Sequence, residues 1–308
     1  MKGLEFRPKL FTMMKTYTKA DFMTDLMAGI IVGIVALPLA IAFGIASGVS
    51  PEKGIITAIV AGFIISFLGG SQVQIAGPTA AFATIVAGIV ARNGMDGLAA
   101  ATILAGIILI IMGLCRFGGL IKYIPFTITT GFTSGIAVTI VIGQLKDFFG
   151  VTYPEGMPTI ETMEKLKAFL AGIHTFNTDS LIVGLVCLAI LIIAPRFTEK
   201  IPGSLLAVIG GILMVQLLPL QVNTIGDLYT ISNKLPSFHM PQLSFEMIQT
   251  ALPDAFTIAI LAAIESLLSC VVADGMINGK HRSNMELAAQ GAGGYGQQDK
   301  EAADYRCY

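Results

Sequence analysis

The fold of this chain is decided by residues 71–79, which read Ser71-Gln72-Val73-Gln74-Ile75-Ala76-Gly77-Pro78-Thr79. The run up to Ala76 is β-like and carries two glutamines, and Gly77-Pro78-Thr79 is a helix-starting signal. The apolar run that follows, residues 79–91, covers only about half to two-thirds of a membrane at about 1.5 Å per residue. The stretch therefore predicts a helix that starts part-way through a membrane.

A helix that starts inside a membrane offers a binding site for an anion. Irregular backbone at membrane depth is tolerated only where it faces protein or water. The first N–H groups of a helix have no partner within the helix and lie at the positive end of its dipole. The break at Gly77 therefore favours a transporter for an anion.

Composition places the chain among integral membrane proteins. Of its 308 residues, 54% are hydrophobic and 13% are charged, and its mean hydropathy is +0.78. A soluble domain carries about a quarter charged residues. The formal net charge of -1 predicts no nucleic-acid partner. The sequence also lacks a nucleophile–base pair, an HExxH-like spacing or a phosphate loop, so it predicts neither an enzyme nor a cofactor.

Hydropathy predicts about eight membrane segments. They cover residues 25–46, 54–68, 77–91, 98–114, 123–149, 181–195, 202–218 and 253–276. Residues 1–24 read as a lead-in rather than a cleaved signal, because no small-residue cleavage site follows a short apolar core. Lys and Arg are in excess in this lead-in and in alternate loops, which predicts a cytoplasmic N-terminus.

Pro38 interrupts the first segment, and Phe43 follows about one to two turns later. Proline in mid-helix removes a hydrogen bond and bends the helix. Two readings are open: a packing kink with Phe43 facing lipid or core, or a bend that faces the helix start at Gly77.

Glu265 is a carboxyl group near the middle of the last segment, where a charge costs about 3 kcal/mol on insertion scales. Apart from Lys146 near the end of the fifth span, the apolar spans contain no basic residue to pair with it. Ser269, one helical turn later, shares its face. A permanently protonated Glu265 that bonds a neighbouring helix is one reading. A site for a coupling proton or sodium ion is favoured, because glutamine or serine could make a structural contact at lower cost.

Several motifs in order resemble those of the sulfate permease (SulP) family of anion transporters, over roughly residues 21–291. They are Asp25 with Ala28-Gly29, Leu37-Pro38 through Ala42-Phe43, Gln74 to Ala81 around Gly77-Pro78-Thr79, Ile124-Pro125 with Thr130 to Ala137, and Val271 to Met276 continuing to His281-Arg282-Ser283-Asn284 and Glu286-Leu287.

This resemblance implies an all-α membrane protein with the UraA-like fold, in which two inverted repeats of seven segments form a core and a gate domain. Residues 25–114 and 253–276 would belong to the core and residues 123–218 to the gate. The resemblance also implies that the protein moves anions by elevator-like alternating access and forms homodimers. A bacterial inner-membrane location follows from the same resemblance.

The resemblance also implies roles for individual residues. Substrate would be bound by Phe43, Gly77, Pro78, Thr79 and Ala80, and the coupling H+ or Na+ by Glu265 and Ser269. Some anion-selective members have glutamine where this chain has Leu39, and bicarbonate members that look sodium-coupled have aspartate where it has Glu265. Sulfate is therefore the first-choice substrate, with dicarboxylates and bicarbonate as alternatives.

The end of the chain departs from the family pattern. Residues 292–308 are polar, which predicts a non-family tail, a truncated repeat without the second half-helix of the anion site, and no STAS domain. An inactive membrane fragment is thus the main alternative to a transporter. Just before this tail, Arg282 and Glu286 have helical spacing and predict a surface ion pair.

Overall fold

The computed structural model describes residues 6–75, 77, 79–123, 126–197, 203–228 and 244–298, and within them the chain is helical without β-strands. The α-helices are α1 (Leu10–Met13), α2 (Lys19–Ala46), α3 (Pro51–Leu68), α4 (Ala80–Leu114), α5 (Phe126–Phe148), α6 (Thr162–Gly172), α7 (Thr178–Phe197), α8 (Gly203–Leu217), α9 (Ile225–Leu228), α10 (Phe245–Ile277) and α11 (Ser283–Gln298). Two short 3-10 helices, Phe117–Tyr123 and Ile173–Thr175, complete the described elements.

Helices α2, α3, α4, α7 and α10 are long and apolar enough to cross a membrane, and α8 is a shorter apolar helix. Most described residues of each predicted segment lie on helices, with residues 80–91 and 98–114 on the two parts of α4. The structure therefore confirms an all-α protein with several membrane-spanning helices.

Local sequence signals explain where the long helices begin. Thr18 and Asp21 form a capping box before α2, and Pro51 occupies the first turn of α3. The Ser244 hydroxyl accepts a hydrogen bond from the Met247 N–H at the start of α10. These caps satisfy backbone groups that have no partner within their own helix.

Helix α4 is broken at Gly94, whose backbone has φ 67° and ψ −171°. A positive φ favours glycine because a Cβ atom would be strained there. The part of α4 before Gly94 carries the start at Ala80, and the part after it contributes Leu98 and Ala101 to the buried core. Two helices thus follow each other with no intervening loop.

Contacts divide the chain into two compact units. One comprises residues 1–23, 40–133 and 232–308, and the other comprises residues 24–39 and 134–231. Residues 24–39 therefore group with the second unit, whereas the sequence division placed residues 25–39 in the core. The core and gate roles of these parts stay a prediction.

The first unit has its core where α10 and α11 pack on α4, and α11 also packs on α3. In the second unit, α7 packs against α8. Close approach of α11 to α4 depends on Gly113, because a Cβ there would lie 2.7 Å from the Asn284 carbonyl oxygen. Helix α11 continues to Gln298, beyond residue 291, where the sequence predicted a polar tail to begin.

Candidate functional site

The start of α4 is where the sequence predicted a helix break. Residues 71–75, 77 and 79 are not helical, and α4 begins at Ala80, which confirms the break. Pro78 lies outside the described residues, and so does the side chain of Ala80, although its backbone opens the helix.

Thr79 occupies the N-cap position of α4, but its side chain does not cap the helix. Its Oγ1 instead donates a hydrogen bond to Oε2 of Glu265 on α10, at 3.1 Å. A threonine at this position ordinarily accepts a hydrogen bond from an N–H of the first turn. The Thr79 hydroxyl therefore joins the helix start to Glu265 and leaves the first turn without a side-chain cap.

A cavity of about 220 Å³ lies beside this helix start. Three residues predicted to bind substrate, Phe43, Gly77 and Thr79, are part of its lining. The lining is largely apolar, and its other polar side chains are Ser47, Thr57, Thr102 and Gln290. The structure thus brings Phe43 of α2 to the same cavity as the start of α4.

The two residues predicted to hold a coupling ion have different environments. Glu265 is half-buried and hydrogen-bonded to Thr79, which itself lines the cavity. Ser269 is exposed, and the structure does not bring it to the cavity lining or to Thr79. The serine next to Glu265 in the chain, Ser266, is buried instead.

Sequence reasoning missed a polar network centred on Ser266. Its Oγ accepts hydrogen bonds from Gln74 Nε2 at 3.2 Å and from Gln290 Nε2 at 3.0 Å. The same hydroxyl donates to Oε1 of Glu286 at 3.4 Å. Single polar residues within apolar runs were the available signal, because buried polar groups require partners.

The predicted surface ion pair between Arg282 and Glu286 is wrong. Glu286 is only 1% exposed, because α11 packs on α3 and α4 and covers that face. Its Oε2 accepts hydrogen bonds from the Gly70 N–H at 2.8 Å and the Ser71 N–H at 3.3 Å. Arg282 turns away and donates to the Arg7 carbonyl oxygen at 2.6 Å.

The connection between α10 and α11 holds a second polar cluster. His281 Nδ1 lies 2.7 Å from Asp274 Oδ2, which also accepts the His281 N–H at 2.8 Å. Ser283 Oγ lies 2.9 Å from His281 Nε2. These contacts fold the connection back on the end of α10. Among the described residues there is no group of three or more His, Cys, Asp or Glu side chains that could hold a metal ion.

The sequence is similar to known anion transporters. The model of the sulfate permease family matches residues 22–296. The chain is 40% identical to the putative sulfate transporter YvdB of Bacillus subtilis, over 78% of this chain and 46% of that protein. It is 33% identical to the bicarbonate transporter BicA of Synechocystis sp., over 78% of this chain and 43% of that protein. The chain spans about half the length of the curated relatives it matches.

Solved structures show the same architecture. The transmembrane domain of a cyanobacterium bicarbonate transporter, BicA, matches with a TM-score of 0.76 and 30% identity, over 91% of this chain and 72% of that one. The structure of SLC26A9 matches with a TM-score of 0.78, over 95% of this chain and 50% of that one, and at 18% identity it supports the fold alone. Helices, cavity and matches agree that this chain has the UraA-like fold and belongs to the sulfate permease family.

Proposed function

We propose that this chain forms part of a secondary active transporter that carries a small inorganic anion, with sulfate as the first choice. Transport would be coupled to a cation and would proceed by elevator-like alternating access. The observation that carries the proposal is the meeting of the α4 start with Glu265: Thr79 lines the cavity and donates to the Glu265 carboxylate.

The start of α4 supplies what an anion needs. The unpaired N–H groups of its first turn and the positive end of its dipole lie at its N-terminus, next to Gly77 and Thr79, which line the cavity. Gly77 has no side chain, so an anion can approach the backbone closely. A cavity of about 220 Å³ has room for a tetrahedral oxyanion and several waters, since a water occupies about 30 Å³.

Glu265 is proposed to take up the coupling ion, a proton or sodium. Its half-buried carboxylate has one hydroxyl partner, Thr79, and it lies in a helix long enough to span a membrane. Ionisable groups within such helices typically mark ion pathways. Ser269 is retained as the adjacent polar residue that the family resemblance implies, although its side chain is exposed.

The choice of sulfate rests on the relatives. The putative sulfate transporter YvdB is 40% identical to this chain, whereas the bicarbonate transporter BicA is 33% identical. Bicarbonate and dicarboxylates are the alternatives, and an inactive membrane fragment is the alternative to any transporter. We also place the protein in a bacterial inner membrane, with a cytoplasmic N-terminus and as a homodimer, on the strength of the charge pattern and the family resemblance.

Uptake of labelled sulfate into proteoliposomes tests the proposal. Two proteins are compared: this chain, and a chimera in which the second half of YvdB follows residue 291. The inside pH is set above or below the outside pH, and unlabelled bicarbonate or dicarboxylate is added as a competitor. Uptake driven by outside acid supports a proton-coupled sulfate transporter. Absence of sulfate uptake by both proteins contradicts the choice of sulfate. The assay is then repeated with labelled bicarbonate and with a labelled dicarboxylate, and uptake of none of the three anions contradicts the transporter.

A further inference from the structure

The segment between α3 and α4 is held in place by hydrogen bonds from other parts of the chain. Residues 71–75 are neither helix nor strand, and they lead to the start of α4. The N–H groups of Gly70 and Ser71 both donate to Oε2 of Glu286, at 2.8 and 3.3 Å. The Gly70 carbonyl oxygen accepts the N–H of Arg282 at 2.9 Å. Helix α11 and the turn before it therefore hold the beginning of this segment.

The other oxygen of Glu286 reaches α10. Its Oε1 accepts a hydrogen bond from the Ser266 hydroxyl at 3.4 Å, and Ser266 in turn accepts one from Gln74 at 3.2 Å. Gln74 also accepts a hydrogen bond from the Cys270 thiol. The middle of the segment is thus tied to α10 by the same network that holds its beginning.

The end of the segment meets α10 as well. Thr79 donates to Glu265, the residue directly before Ser266. Contacts at Gly70, Gln74 and Thr79 therefore fix the segment at its beginning, middle and end. Glu286 is the group that joins the first of these contacts to the second, because its two oxygens bond Gly70 and Ser266.

Because this network is buried, the loss of one of its hydrogen bonds is costly. Glu286 is 1% exposed and Ser266 is 6% exposed, so water cannot replace a lost partner at little cost. Irregular backbone at membrane depth needs its polar groups satisfied by protein or by water in a cavity, and Glu286 supplies the protein acceptor at Gly70 and Ser71. The Gly70 position admits no larger residue, since a Cβ there would collide with the Arg282 carbonyl group.

We propose that Glu286 is a positioning residue for the anion site: through Gly70, Ser71 and Ser266 it sets where Gly77 and Thr79 stand relative to Glu265. This inference rests on the function proposed above. Glu286 is not part of the cavity lining, so its proposed role is to position the residues that are. Loss of its acceptor atoms lets the segment shift, which weakens anion binding while Glu265 remains in place.

Transport by the chimera provides the first test. Glu286→Ala removes both acceptors, and Glu286→Gln keeps one carbonyl oxygen that can accept the Gly70 N–H. We expect Glu286→Ala to raise the KM for sulfate about 10-fold, the scale set by buried N–H groups that lose their acceptor. Glu286→Gln should restore most of the affinity and keep the pH dependence of uptake. Glu246→Gln, at an exposed glutamate in the first turn of α10, is the matched control.

Labelling provides a test that does not need transport. Cys115, Cys187, Cys270 and Cys307 are replaced by serine, Gly77→Cys is introduced, and its reaction with a water-soluble maleimide is timed. We expect labelling several-fold faster with Glu286→Ala and close to the parent rate with Glu286→Gln. If Glu286→Ala does not fold, Ser266→Ala replaces it, and the same increase in rate is expected.

The outcomes separate the two proposals. Failure of the parent chimera to transport any anion contradicts the proposed function but leaves the labelling test decisive for Glu286. An unchanged KM and labelling rate in folded Glu286→Ala overturns the positioning role. Loss of the pH dependence in Glu286→Gln overturns it too, because Glu286 would then carry the proton itself.

Discussion

Thr79 and Glu265 lie 186 positions apart in the chain, yet Thr79 Oγ1 is 3.1 Å from Glu265 Oε2. Thr79 occupies the N-cap position of α4 and lines the cavity, and Glu265 belongs to α10. This hydrogen bond is the structural link between the proposed anion site and the proposed coupling site. Substitutions on its two sides should therefore have different consequences.

Thr79→Val should weaken sulfate binding. Valine keeps the branched shape but removes the hydroxyl, and a typical hydrogen bond contributes about 1 kcal/mol, so an increase of about 5-fold in KM is expected. The measurement is sulfate uptake into proteoliposomes over a range of concentrations. Thr79→Ser, which keeps the hydroxyl, should stay close to the parent. An unaltered KM in Thr79→Val would remove Thr79 from the site.

Glu265→Gln should abolish the pH dependence of uptake. Glutamine keeps the size and can still accept the Thr79 hydroxyl, but it cannot bind and release a proton. Uptake is measured with the inside pH above and then below the outside pH. Glu246→Gln, at an exposed position of the same helix, controls for loss of a carboxylate. A pH dependence that persists in Glu265→Gln would contradict the proton-coupling role of Glu265.

The two serines near Glu265 can be separated by experiment. Ser266 is buried and hydrogen-bonded to Gln74, Gln290 and Glu286, whereas Ser269 is exposed. Ser266→Ala should therefore lower the Tm more than Ser269→Ala does. It should also raise the KM about 3-fold or more relative to Ser269→Ala, because a buried hydrogen-bonded hydroxyl is lost. Tm is measured in detergent, and KM is measured from uptake. The reverse order would show that Ser269 matters more to transport than Ser266 does.

Two glycines of the first compact unit provide a matched pair. A Cβ at Gly77 would have nothing within 4 Å, whereas a Cβ at Gly54 would collide with the Ala40 carbonyl oxygen. Gly77→Ala should leave the folded yield and Tm unchanged and raise the KM, because its methyl group enters the cavity proposed to bind the anion. Gly54→Ala should lower stability by about 1–3 kcal/mol through overpacking. A Gly77→Ala protein with parental affinity would place the anion elsewhere.

The helix break at Gly77 was predictable because its signal is local. Single prolines such as Pro38 and Pro253 lie within long helices, but at Gly77 a glycine and a proline are adjacent and follow a polar, β-like stretch. Neighbouring residues were therefore sufficient to predict this break. The break at Gly94 is different. The sequence indicated two segments around it, but not that a single residue with positive φ would join them without a loop.

The surroundings of Glu286 and Ser266 could not be predicted in the same way. Helical spacing suggested a pair with Arg282, but Arg282 finds its partner at Arg7, from the other end of the described chain. Spacing likewise favoured Ser269 over Ser266. Which face of α10 and α11 is buried depends on contacts with α3 and α4, and these lie far away in sequence.

The hydroxyl of Thr79 has one hydrogen, and in this structure it goes to Glu265. An anion oxygen at the start of α4 can receive that hydrogen only after the carboxylate gives it up. A protonated Glu265 does so, because its own O–H can donate to Thr79 and reverse the bond. In the proposed transporter, proton and anion would then raise each other's affinity by the same factor, since such coupling is reciprocal. Reversal of this one hydrogen bond would therefore link uptake of the anion to uptake of a proton.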